Sequence, residues 1–187
     1  MCNKYLLLIA LPLVLLSGCI RSLQPLYTDA DLVFDEALIG TWIDDDSKEV
    51  WQFAKGDGQF YDLTYTNSDG ESGLFAIHLV ALKGERFLDF YPAEVEIPAN
   101  AFYLYHLMGV HTIMHLRQIE PTLQMSSPDV DWLKKKLELD PTIIAHEVVD
   151  DEILLSASTQ ELQDFWLEHL EGEGVFDEYS DMNKTEK

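Results

Sequence analysis

Between residues 40 and 126 the chain passes repeatedly from short apolar-alternating runs to clusters of turn residues. Glu49 to Ala54 alternates with Trp51 and Phe53 on one side, and Gln59 to Thr66 with Tyr61, Leu63 and Tyr65. A period of two is the pattern of a half-buried strand. Lys55-Gly56-Asp57-Gly58, Asn67-Ser68-Asp69-Gly70 and Lys83-Gly84-Glu85 supply turns between such runs. Leu74 to Leu82 is apolar except for His78, so both faces of that strand should be covered. Arg86 to Tyr91, Ala101 to Met108, His111 to Ile119 and Thr122 to Ser126 read as further strands, with Pro92 and Pro121 ending runs. About eight short strands with little helix between them predict an antiparallel up-and-down sheet, closed or nearly closed into a barrel. The interior of such a barrel is filled by side chains or holds one small ligand.

Helical patterns come only after these strands. Ser127-Pro128 reads as N-cap and first helical residue, followed by Val130, Leu133 and Leu137 at helical spacing. Lys134-Lys135-Lys136 suits the later, solvated part of that helix. Glu147-Val148-Val149 and Ile153-Leu154-Leu155 flank an acidic turn and predict a hairpin. Ser158 with Glu161 forms a capping box that opens a helix with Leu162, Phe165, Trp166 and His169 on one face. Gly172 or Gly174 should stop it. The fold class is thus mainly β with C-terminal helices (β+α): one domain over residues 29–172, then an acidic tail, 173–187, expected to be disordered.

Asp35 can cap a brief turn through Leu38, and Gly40-Thr41-Trp42 follows. A Gly-x-Trp after a short apolar turn, opening the first strand, resembles the lipocalin or calycin signature. The resemblance implies that Gly40 and Trp42 close one end of an up-and-down barrel. The later Thr-Asp-Tyr motif of that family is absent. If the barrel is hollow, Trp51, Phe53, Tyr61 and Leu63 are the candidate ligand-lining residues.

The N-terminus carries an address. Lys4 precedes an apolar run from Tyr5 to Leu16 that Pro12 interrupts. The run is shorter than the ~20 residues that cross a bilayer, as a cleaved signal should be. Leu16-Ser17-Gly18-Cys19 resembles a bacterial lipobox. That resemblance implies a signal peptide over 1–18 recognised at Leu16, Ser17 and Gly18, cleavage before Cys19, and a thioether-linked diacylglycerol on the Cys19 thiol, with Cys19 the first, acylated (palmitate-bearing) residue of the mature chain. Two or three acyl chains make such an anchor stable. Residues 19–28 then read as a lipid-anchored tether. Ile20, rather than Asp, follows the cysteine, which by the enteric sorting rule implies the periplasmic face of the outer membrane. The runs Ser22 to Tyr27, Gly40 to Trp42 and Leu154 to Thr159 look like those of uncharacterised bacterial lipoproteins, a likeness that carries no activity.

Cys2 falls in the removed segment and Cys19 is consumed by lipid, so the mature domain has no thiol for a disulfide, zinc or nucleophilic catalysis. The formal charge is −22, and loss of Lys4 makes it one unit more negative. Such a surface repels nucleic acid and anionic head groups.

The best chemical candidate is a set of histidines. With Gly109-Val110 as a two-residue hairpin turn, His106, His111 and His115 fall on one face, where they could hold a divalent metal. Solvent-facing or hydrogen-bonded histidines give the same pattern. No serine-nucleophile elbow, phosphate loop, dinucleotide fingerprint or His-Glu-x-x-His is present. The expectation is a non-enzymatic, lipid-anchored envelope protein without a cofactor beyond its own lipid. The first reading of its role is a binding module for a small apolar or amphipathic ligand. The alternative is a protein-interaction or assembly scaffold whose barrel is filled, and a metal-binding or enzymatic site at the histidines comes third.

Overall fold

A computed structural model describes residues 19–93 and 97–185. Leu16, Ser17 and Gly18, expected to be the signal-peptide recognition positions, lie outside the described residues.

Twelve strands are present among the described residues: β1 Arg21–Ser22, β2 Leu32–Val33, β3 Gly40–Asp44, β4 Val50–Lys55, β5 Tyr61–Thr66, β6 Ser72–Leu82, β7 Glu85–Pro92, β8 Thr112–Gln118, β9 Thr122–Ser126, β10 His146–Val149, β11 Glu152–Leu155 and β12 Ser180–Lys184. Strands β3 to β9 form a continuous antiparallel meander, and β12 pairs with both β9 and β3. These eight strands close a lipocalin-like up-and-down barrel. The long β6 carries β5 and then the short β2 along one edge, with β7 along the other.

Alternation dictates the barrel core. Trp51 and Phe53 of β4, Tyr61 and Leu63 of β5, Ile77 and Leu79 of β6, Leu88 and Phe90 of β7, Leu116 of β8, Leu123 and Met125 of β9 and Met182 of β12 pack together. Several outward positions of β6 to β8 are apolar as well, and Val80, Leu82, Phe87 and Ile113 join a second core. That core lies under helices α2, Val130–Leu139, and α3, Thr159–His169, and the small β1-β11-β10 sheet. This explains the apolar run of β6: one face fills the barrel and the other packs on the helical layer.

Four expectations are corrected. Ala101 to Met108 is not a strand; Ala101–Leu104 forms a single helical turn, α1, and the chain enters the barrel only at Thr112. Asn100 accepts from Tyr103 N at 2.9 Å and caps that turn, a local bond that competes with strand pairing. The eighth strand comes instead from the tail over 173–187, expected to be disordered. Met182 is 2% exposed within β12, and the open edges of β3 and β9 supply the hydrogen bonds that the polar sequence of β12 needs. The segment 19–28 is not a tether. Ile20 and Leu26 are buried, β1 pairs in parallel with β11, and α3 holds the segment through Gln163 Nε2 to the Leu26 carbonyl (2.8 Å). Burying each such aliphatic side chain is worth about 1.5–3 kcal/mol, more than an unstructured linker retains. Helix α2 forms where expected, but with Asp129 rather than Ser127 as its N-cap.

Candidate functional site

The two ends of the barrel differ. One end, formed by Gly40, Lys55, Tyr61, Gln118, Thr122 and Lys184, is sealed. The Asp35-capped turn Glu36–Leu38 lies across it, and Leu38 is fully buried. Trp42 is fully buried, and its indole N–H donates to the Leu38 carbonyl at 2.9 Å. Tyr61 accepts from Asp35 N (2.7 Å), donates to the Asp35 carbonyl (3.1 Å) and stacks on Phe34. Gly40 has φ +142°, and a Cβ there would lie 2.7 Å from Lys184 Cε. The glycine is therefore required by its backbone conformation, and the flexible lysine that crosses it would have to shift for any Cβ.

The opposite end is a mouth plugged by aromatic rings. Trp51 packs edge-on against Tyr65 and Phe90, and Phe75 against Phe90. Tyr65 donates to Glu49 at 2.7 Å, and burial together with this carboxylate raises the phenol pKa strongly. Trp51 Nε1 is buried without a hydrogen-bond partner. Beside the plug lies a cleft of about 180 Å³ where Trp51, Met114, Met125 and Met182 meet the acids Asp44, Glu49, Asp177 and Glu178. A second, of about 260 Å³, is lined by Cys19, Phe75, Phe90, Pro92, Val110 and Thr112. The four candidate ligand-lining residues, Trp51, Phe53, Tyr61 and Leu63, all point into the barrel, where they pack against one another and their neighbours.

The three histidines do not come together. His106 caps α1 through the Phe102 carbonyl (2.7 Å) and is exposed. His111 donates from Nδ1 to Asp89 Oδ1 at 2.6 Å. His115 sits elsewhere, bonded to the Tyr179 hydroxyl (2.5 Å) and Glu85 (3.2 Å), with Phe176 beside it. Burial lowers its pKa, against the raising effect of Glu85. Among the described residues no group of three or more His, Cys, Asp or Glu side chains could hold a metal. The shared face required a strand through residue 108 and a tight hairpin, and α1 removes both.

A polar cluster that the sequence reading missed occupies the seam between barrel and helical layer. Asp89, on the outer face of β7, is fully buried and accepts from Leu26 N at 2.8 Å as well as from His111. Nearby, His78 stacks on Tyr27, whose hydroxyl lies 3.4 Å from His78 Nε2. Burial is the main cause that lowers the His78 pKa, with Asp89 opposing it. The Tyr27 phenol is pushed up to about 12 by burial, then by Asp89 and Asp29. The available signal was one acid inside the apolar run Phe87-Leu88-Asp89-Phe90, which only a satisfied partner can justify.

Cys19 is exposed at the start of this seam, next to Ile20. No helix among the described residues is long and apolar enough to cross a membrane.

Comparisons with known proteins add a sequence relationship. L-rhamnose isomerases of Listeria monocytogenes serotype 4a (strain HCC23) and Listeria innocua serovar 6a are each 30% identical to the chain over 84 residues. The alignment takes in 40% of this chain, which spans about a fifth of the length of those curated relatives. No solved structure matches. Residues 84–184, from the turn before β7 to the end of β12, match the model of a family described as L-rhamnose isomerase (RhaA). That stretch is more than half of the chain, and on this match the chain belongs to the L-rhamnose isomerase (RhaA) family.

Proposed function

We propose that this chain is a lipid-anchored protein of the bacterial envelope, and that its barrel acts as a rigid, non-enzymatic scaffold for interaction rather than as a container. The observation that carries the scaffold reading is the filled interior. Trp42, Trp51, Phe53, Tyr61 and the apolar residues of the five further barrel strands occupy the space that a carrier keeps open. The clefts at the mouth are smaller than the ~300–1,000 Å³ of typical small-molecule sites. The anchor rests on the lipobox order ending at Cys19, and the exposure of Cys19 beside a buried Ile20 is compatible with it.

One observation favours a second reading, a small ligand seated at the mouth. The unpartnered Trp51 indole N–H is a buried donor that a ligand oxygen could satisfy. Isomerase activity gains less. Moving a proton or hydride between adjacent carbons of a sugar needs a positioned acid–base pair or a metal. Here the buried acid Asp89 is spent on Leu26 N and His111. The relatives named for that activity share a segment covering a fifth of their length.

Titration of the purified chain with an environment-sensitive fluorescent fatty acid separates the readings. The scaffold predicts no saturable binding up to high micromolar probe. Saturable micromolar binding lost in Trp51→Leu would install the ligand reading instead. Turnover of L-rhamnose by the same preparation would overturn both.

A further inference from the structure

Residues 97–110 contain no Asp, Glu, Lys or Arg, in a chain that holds 34 acidic and 12 basic residues. They form most of the connection between β7 and β8. Along it Tyr105 is 85%, Phe102 78%, Met108 69% and Tyr103 55% exposed, and Ile97 and Leu107 are also solvent-facing. So dense an apolar display is not an ordinary surface, and it marks a contact with something else.

Its position says what that contact is. Pro92 and Val110, where the connection leaves and rejoins the barrel, line the same cleft as Cys19. His111 exchanges two 2.8 Å backbone hydrogen bonds with Ser22, and Ser22 is three residues from Cys19, at most about 10 Å of chain. No slack separates Cys19 from the fold, because Ile20 is already core. The exit of the connection is tight as well: a Cβ on Gly109 would lie 2.6 Å from the Tyr91 ring.

We propose that residues 97–110 are a membrane-docking element that seats in the interfacial layer of the bilayer holding the Cys19 lipid and fixes the orientation of the barrel on it. This rests on the lipid anchor proposed above. Acyl chains on Cys19 bring this end of the molecule against the bilayer, and an uncharged stretch enters the interface without a charge to desolvate. Tyrosine, with an apolar ring and a polar tip, is suited to head-group level, whereas Phe102, Leu107 and Met108 suit the acyl boundary about 5–10 Å down. Elsewhere the strongly acidic surface resists approach to anionic lipid. Around Cys19 itself stand Asp150, Asp151, Glu152, Lys134 and Arg21, the last paired with Glu152. With three acids to two bases, docking should favour zwitterionic over anionic lipid.

The test uses the full chain, expressed in a lipoprotein-processing host and reconstituted into phosphatidylcholine vesicles containing brominated lipid. Tyr105→Trp is compared with Leu139→Trp, which is also 85% exposed but lies at the end of α2. Acylation of Cys19 is read in parallel with a palmitate analogue. The expected result is bromolipid quenching and a blue shift for Tyr105→Trp alone, reduced when anionic lipid is added. Label on Cys19 with no quenching of Tyr105→Trp overturns the docking element and leaves the anchor standing. Quenching of Tyr105→Trp by added vesicles with no label on Cys19 sinks the anchor and keeps the docking surface. Neither signal sinks both.

Discussion

Lys184 of β12 lies over the indole of Trp42 in β3, with Nζ 4.9 Å from the ring centroid and 2.8 Å from the Ala37 carbonyl. One side chain thus ties the last strand, the first barrel strand and the sealing turn together. Gly40 permits the crossing. Truncating buried Trp42 to alanine should cost about 3–5 kcal/mol. Replacing the exposed Lys184 by alanine should cost about 0.5–1 kcal/mol. Urea melts of both variants and the double variant should show coupling, since removing the ring removes the cation's partner.

Deleting residues 180–187 should open the barrel between β3 and β9. Two strand edges would then lose their ladder, and unpaired edges invite aggregation. The expected outcome is loss of the near-ultraviolet dichroism of the buried tryptophans together with soluble oligomers in size-exclusion chromatography. A monomer with the native spectrum would show that β12 is dispensable.

The barrel was legible in the sequence because alternation around Trp51, Phe53, Tyr61 and Leu63 is a direct imprint of a pleated, half-buried strand. The Ser158–Glu161 box and the Leu162, Phe165, Trp166 face announced α3 for the same local reason. Two features escaped. The polar β12 forms a strand because the barrel offers it two edges, a demand that lies elsewhere in the chain. Ala101 to Met108 carries strand-favouring tyrosines, yet Asn100 caps a helical turn there. With that strand went the parity argument for His106, His111 and His115. The Asp89 cluster joins residues far apart in the chain, so no local pattern could assemble it.

Asp89→Ala should destabilise the chain by about 3 kcal/mol, because Leu26 N–H and His111 are both left without their buried acceptor. Asp89→Asn keeps one acceptor oxygen and should lose less. Chemical denaturation of the two variants measures the difference, and equal melts would remove Asp89 from the seam's support.

Stability should fall as the medium becomes acidic. His78 and His115 have pKa values lowered from 6.5, mainly by burial. In that window the unfolded chain binds more protons than the folded one. Their contribution is therefore complete above pH 6.5 and is lost as pH falls through the depressed values. Asp177, whose carboxyl is raised first by burial and then by Asp129, acts in the opposite sense at lower pH. Urea midpoints between about pH 7.5 and pH 5.5 should drop, and His115→Gln should flatten that drop.

The proposed anchoring and docking both depend on a lipid at Cys19, and metabolic labelling with a palmitate analogue, followed by mass spectrometry of the N-terminal peptide, tests for it directly. The predicted result is a labelled mature chain that begins at a diacylglyceryl-modified Cys19, with no label and an unprocessed or unanchored chain in Cys19→Ala. An unmodified cysteine in the wild-type chain, or undiminished label in Cys19→Ala, would contradict it.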